Sequence, residues 1–160
     1  MLDFPDEFLH GHDRVIEVPH LGASTEEAEI NSASMAADEI KDYLEHGIIR
    51  NSVNFPNVQL ERLTPWPDSG GKTMRLCLIN NNTPGVLGTI TNVVGELNLN
   101  ISQAVNASRG EVAYNVVDLD IMADETQREE LLDTMIAIEG VLSARLLIGE
   151  PGTHYRVKKA

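Results

Sequence analysis

The side chains able to do chemistry in this 160-residue chain are few and scattered. Its one cysteine, Cys77, lies inside an apolar run, and the five histidines fall at positions 10, 12, 20, 46 and 154. No Ser/His/Asp set, Gly-rich phosphate loop or His-Glu-x-x-His pair is spelled out. His10 and His12 form an exposed pair of the kind a solvated loop carries; without a carboxylate or thiol partner they offer a metal ion too few donors, and no metal is expected. His20 differs by position. It follows a short extended run, precedes Gly22 and a helix cap, and so stands at a strand-to-helix edge where ligands bind, either as a helix-entry residue or as a general acid/base. The run Asn80-Asn81-Asn82-Thr83-Pro84-Gly85, with Asn100 beyond it, is the other candidate. Asn80, Asn82 and Asn100 each bring a carbonyl acceptor and amide donors, and the N–H groups of Gly85, Val86 and Leu87 are unpaired first-turn donors of a helix. Together they suit a zwitterion, its carboxylate on the helix start and its ammonium on amide oxygens. Asparagines are also ordinary turn residues, which is the plainer account.

These groups need elements to hold them. Residues 14–18 read as a short strand. After Ser24 or Thr25 as cap, apolar residues at Ile30, Ala33, Ala36 or Ala37, Ile40, Tyr43 and Leu44 form one helical stripe of about 20 residues that Gly47 ends. Residues 52–55 are briefly extended. Beyond the linker, 74–79 is a buried strand. Thr83 as cap with Pro84 in the first turn opens a helix whose face is Val86, Leu87, Ile90, Val93, Val94 and Leu97. Strands at 101–107 and 113–122 form a hairpin, in the second of which Val117, Leu119 and Ile121 alternate with Asp118 and Asp120. A helix at 125–138 and a strand at 141–148 complete the order βαββαβ, an α+β, ferredoxin-like arrangement.

Composition bounds what the site can serve. With 42% hydrophobic and 23% charged residues the chain is an ordinary globular one. Its 12 basic and 25 acidic side chains leave a net charge of −13, which repels phosphate backbones and anionic lipid, so neither nucleic acid nor membrane is an expected partner. One cysteine permits no internal disulfide, and the acidic start lacks the basic region of a signal peptide; a reducing cytoplasm fits. Residues 1–71 hold 4 basic and 14 acidic side chains, residues 72–160 hold 8 and 11. That asymmetry, with Pro56, Pro65, Pro67 and the run Asp68-Ser69-Gly70-Gly71, places a domain boundary near Gly71 and a linker over 57–71.

At these residues the chain resembles a known family. RVIEVPHLGASTEEAE (14–29) and SVNFP (52–56) resemble the end of the catalytic region in the D-2-hydroxyacid dehydrogenase family, in its phosphoglycerate dehydrogenase branch. Residues 75–147, above all INNNTPGVLG and NLNIS, resemble the ACT domain that ends its longer-tailed members. The resemblance implies residues 1–56 as the remnant of a dehydrogenase catalytic region, 57–71 as a linker with a Gly70-Gly71 hinge, and 72–160 as an ACT regulatory domain. It implies His20 as the catalytic proton donor or acceptor while hydride passes to or from NAD, with Leu21, Gly22 and Ala23 bordering the nicotinamide. The family's substrate-gripping Arg and histidine-orienting Glu fall upstream of the matched region, and no Gly-x-Gly-x-x-Gly fingerprint occurs, so the chain reads as a C-terminal part that binds no cofactor alone. For the ACT part it implies an L-serine effector between two copies. Asn82 and Asn100 fall on the family's effector-contacting asparagines, and Asn80 stands where a histidine is usual.

Three roles follow from this reading. One is an amino-acid-sensing regulatory module of L-serine biosynthesis, homo-oligomeric through its ACT part. Another is part of an active dehydrogenase whose nucleotide-binding region is supplied elsewhere. The last is an ACT-type dimerisation scaffold without a ligand.

Overall fold

A computed structural model describes residues 1–3, 5–63, 74–120, 124–148 and 156–159. By contacts along the chain these fall into two units, Met1–Asp38 and Glu39–Ala160, and the division lies inside one long helix. The expected boundary at Gly71, and the Gly70-Gly71 hinge with it, fall outside the described residues.

In the first unit the expected strand at 14–18 is reduced to a single bridge. Leu2 lies parallel to Glu17, with the Leu2 N–H on Ile16 O at 2.9 Å and the Val18 N–H on Leu2 O at 3.0 Å. One bridge forms because Pro19 closes the segment directly after Val18. Helix α1, Glu26–His46, starts as its cap residue dictates: Thr25 Oγ1 accepts the Ala28 N–H at 3.1 Å, and Glu26, Glu27 and Glu29 stand at the positive end of the dipole. It stops at Gly47, whose φ of +69° is a left-handed cap. Of its apolar stripe, Tyr43 packs against a core cluster. Ile30, Ile40 and Leu44 are exposed, and the one fully buried residue of α1 is a charged one, Asp42.

In the second unit the βαββαβ order holds. Strands β1 (Met74–Asn81), β2 (Ile101–Arg109), β3 (Val112–Leu119) and β4 (Val141–Ile148) alternate with α2 (Val86–Glu96) and α3 (Glu125–Ile136). They lie in the order β2-β3-β1-β4, every neighbour antiparallel, which is the ferredoxin-like topology. A fifth strand, β5 (Arg156–Lys159), adds to β4 and was not evident in the sequence. Strand β2 is an edge. Of residues 52–55, expected to be extended, 53–55 form bends, and a bridge joins Ile49 to Val58 instead.

The sheet is covered on both faces. On one, Leu76 and Leu78 of β1 and Val117 of β3 pack with Ile90, Val94, Leu131, Leu132 and Met135 of the two helices. On the other, Cys77, Tyr114, Val116 and Leu147 meet Ile49, Val58 and Leu63. Buried sheet side chains hold that second layer by its carbonyls. Arg75 grips Asp118 through Nε (2.5 Å) and Nη2 (2.8 Å) and donates to His46 O and Glu61 O; Arg145 donates to Tyr43 O at 2.7 Å, and Tyr114 to Gly47 O at 3.0 Å. Three of these acceptors are at the end of α1, where Tyr43 O also accepts the Gly47 N–H at 3.0 Å. The clamp is therefore a helix cap built from a sheet. Asp42 adds to it, paired with Arg50 and with Arg62 at 3.0 Å.

Candidate functional site

The effector candidates gather at one end of the sheet, where β1 runs into α2. The turn is set by its neighbours in space: the Asn81 N–H donates to Gly140 O, the Asn82 N–H to Glu111 O and the Asn82 side-chain amide to Gly110 O at 3.0 Å. Thr83, expected as the cap of α2, does not serve as one; its N–H turns back onto Asn81 O at 2.8 Å. The cap position is Gly85, with φ +94° and no side-chain cap hydrogen bond, and Pro84 stays in the turn. A left-handed residue is needed to redirect the chain, and glycine adopts that conformation without a Cβ penalty. The helix start is consequently open: no intrahelical acceptor precedes Gly85 O, which takes the Thr89 N–H at 2.9 Å, and the N–H groups of Val86 and Leu87 come before it. Val86 packs its side chain into the core, while Leu87 is 41% exposed. Gly140, at φ +92°, lies against this turn, where an added Cβ would stand 3.1 Å from Val86.

The three asparagines divide. Asn82 is exposed, with its amide nitrogen on Gly110 O. Asn100 is exposed at the start of β2 and anchors locally through its carbonyl, which accepts the Asp120 N–H. Asn80 is not at the surface: it is 3% exposed, its oxygen takes Asn115 Nδ2 at 2.5 Å, and its own amide donates to Asn81 O at 2.8 Å. It lies beneath the expected crevice because β1 alternates, and position 80 shares the helix-covered face with Leu76 and Leu78. Sequence reasoning missed Asn115 and Asn106, which complete this arrangement; Asn106 Nδ2 donates to Asn115 Oδ1 at 2.6 Å. The legible signal was an asparagine in the apolar centre of a strand, Ala-Tyr-Asn-Val-Val.

His20 is in the other unit, on an exposed loop, and its Nδ1 lies 2.5 Å from Asp3 Oδ2. The Leu2–Glu17 bridge brings Asp3 there. Leu21, Gly22 and Ala23 follow on the same exposed loop. Three exposed loop residues cannot enclose a dinucleotide, and no phosphate-binding glycine loop occurs in the sequence, so the residues present do not fit NAD. Among the described residues no group of three metal-ligating side chains occurs. No helix among them is long and apolar enough to cross a membrane.

The chain is 36% identical over 135 residues to D-3-phosphoglycerate dehydrogenase of Escherichia coli K12, a match covering 84% of this chain and 30% of that protein. Against the Haemophilus influenzae enzyme of that name the figures are 34% over 139 residues, 87% and 31%; against D-3-phosphoglycerate dehydrogenase 1 of Saccharomyces cerevisiae they are 32% over 133 residues, 83% and 27%. The chain thus spans under a third of the length of these relatives. No family model matches it. Solved structures with a related fold include the ACT domain of the Chlorobium tepidum GTP pyrophosphokinase (16% identity, TM-score 0.43, covering 47% of this chain and 96% of that one). An ACT domain protein of Streptococcus pneumoniae is another, at 14% identity and TM-score 0.39, covering 48% of this chain and 86% of that one.

Proposed function

We propose that this chain, similar over most of its length to D-3-phosphoglycerate dehydrogenases, is the regulatory portion of such a protein in L-serine biosynthesis, and that its ACT-type sheet binds a small amino acid. The observation that carries the reading is the open start of α2: uncapped N–H groups beside Asn82, on the residues where the resemblance puts the effector contacts. A carboxylate suits the N–H groups of Val86 and Leu87, and amide oxygens of Asn82 and Asn100 suit an ammonium or hydroxyl. L-serine carries all three groups. Asn80 supports the turn from beneath rather than meeting the ligand.

A second copy completes the site in this reading. Strand β2 is an edge whose outer N–H and C=O groups are unpaired by the sheet, and joining two such edges about a two-fold axis makes one continuous sheet. Ligand held between copies strengthens their association by linkage. In this reading His20 would serve a complete enzyme as proton donor or acceptor at the substrate, with NAD supplying the hydride chemistry from a site outside this chain, and the protein works in the cytoplasm.

Isothermal calorimetry with L-serine, glycine and L-alanine tests the proposal. The expected result is heat with serine and weaker binding of the two analogues without a hydroxyl. Removing an amide that meets a charged ligand group costs about 1.5–3 kcal/mol, so Asn100→Ala should bind serine roughly 10- to 150-fold more weakly. No heat with any of the three rejects the effector and leaves the dimerisation scaffold. Sedimentation equilibrium tests the edge pairing, a monomer with and without serine counting against it.

A further inference from the structure

Three asparagines on three adjacent strands form one directional chain of hydrogen bonds. Asn106 of β2 donates Nδ2 to Asn115 Oδ1 of β3 at 2.6 Å, and Asn115 donates Nδ2 to Asn80 Oδ1 of β1 at 2.5 Å. Asn80 in turn donates to the carbonyl of Asn81 at 2.8 Å. That carbonyl also accepts the Thr83 N–H, which begins the turn leading to the open start of α2. Asn106 and Asn115 are direct partners in the β2–β3 register, whereas Asn115 reaches Asn80 diagonally, two positions on from its own β1 partner Leu78. The ladder therefore runs from the sheet edge to the loop.

Its direction is fixed. Turning the Asn115 amide over would set oxygen against oxygen at Asn80 and nitrogen against nitrogen at Asn106, losing both bonds. The two inner members are 0% and 3% exposed, so water cannot replace a lost link. Around them the same face of the sheet is apolar, with Leu76, Leu78, Val117 and Leu119. Packing alone would be served at least as well by an apolar side chain at position 115, because a buried amide only recovers by hydrogen bonding what it loses on leaving water. What the amide provides and an apolar residue does not is orientation.

We propose that Asn115 is a positioning residue for the effector site: through Asn80 it holds the Asn81 carbonyl, and so the Asn82–Gly85 turn, in the geometry that presents the α2 start to a ligand. The inference rests on the effector reading above and goes beyond it, because Asn115 touches neither the turn's surface nor the helix start. Asn106 is its outer support, an exposed residue linked to the turn through two buried amides.

The test compares the wild-type 160-residue chain with Asn115→Leu, close in volume and without hydrogen bonds, using L-serine as probe. Asn115→Leu is expected to keep the folded circular-dichroism spectrum and bind serine about tenfold more weakly. In wild type the side-chain amide resonance of Asn106 should shift on adding serine; in Asn115→Leu it should not. Should Asn115→Leu fail to fold, the exposed Asn106→Ala replaces it, with a smaller loss of affinity of about threefold expected. Wild-type serine affinity in a folded ladder variant, with the Asn106 amide unmoved by serine in the wild type, overturns the ladder's role and leaves the effector reading standing. Absence of serine binding by the wild-type chain overturns both.

Discussion

His46 shows how one side chain can make the fold sensitive to pH. Its Nδ1 accepts the Leu63 N–H at 3.2 Å, and burial pushes its pKa below the usual 6.5, against the upward pull of Glu45 and Asp42; Arg62 and Arg75 add to the lowering. A histidine whose folded pKa is lowered holds fewer protons folded than unfolded just below pH 6.5. Stability therefore rises with pH through that window and is lost as pH falls below 6.5 towards the folded pKa. Urea midpoints between about pH 7 and about pH 5 should fall, and His46→Gln, which keeps an acceptor but does not titrate, should flatten the slope. An equally steep slope in that variant would assign the effect to other groups. Nearby, burial pushes the Cys77 thiol up, so it should stay unreactive to a thiol reagent until the chain unfolds. Gly47 separates this thiol from the backbone: an added Cβ would stand 2.5 Å from Cys77 Sγ at a φ of +69°. Gly47→Ala should cost about 2 kcal/mol or more in chemical denaturation, from strain and overpacking together.

At the scale of elements, caps decide where helices begin. Asp124 accepts the Thr126 N–H at 2.9 Å at the start of α3, and Asp124→Ala should lower stability by about 1 kcal/mol. The start of α2 has no such side chain, so Thr83→Ala, at a position that reads as a cap in the sequence, should cost much less in the same assay. The βαββαβ order was legible because hydrophobic period and turn residues agree over residues 74–148: Val86, Ile90 and Val94 bury as their spacing says. The stripe on α1 was legible as a helix, while its mostly exposed face was not. Periodicity reports that a face is apolar, not that something covers it, and Asp42 is buried because Arg50 and Arg62 neutralise it. Such pairings join residues far apart in sequence, as Asn106, Asn115 and Asn80 also do. The strand expected at 14–18 failed for the complementary reason, since strand propensity needs a neighbour and only Leu2 provides one.

For the whole molecule the account separates two capacities. In the unit carrying His20 that ring meets Asp3, and the Leu21, Gly22 and Ala23 beside it are exposed, so the isolated chain with NAD and 3-phosphoglycerate should show no turnover. Turnover abolished by His20→Ala would overturn that. The sheet-bearing unit has a turn, an open helix start and the edge strand β2, on which the proposed effector site is built. The most direct measurement of its role is an L-serine titration of the isotopically labelled chain followed by NMR. The account predicts saturable shifts at the backbone amides of Val86 and Leu87 and the side-chain amides of Asn82 and Asn100, with the His20 loop unmoved. Shifts centred on His20, or none at the α2 start at saturating serine, would contradict it.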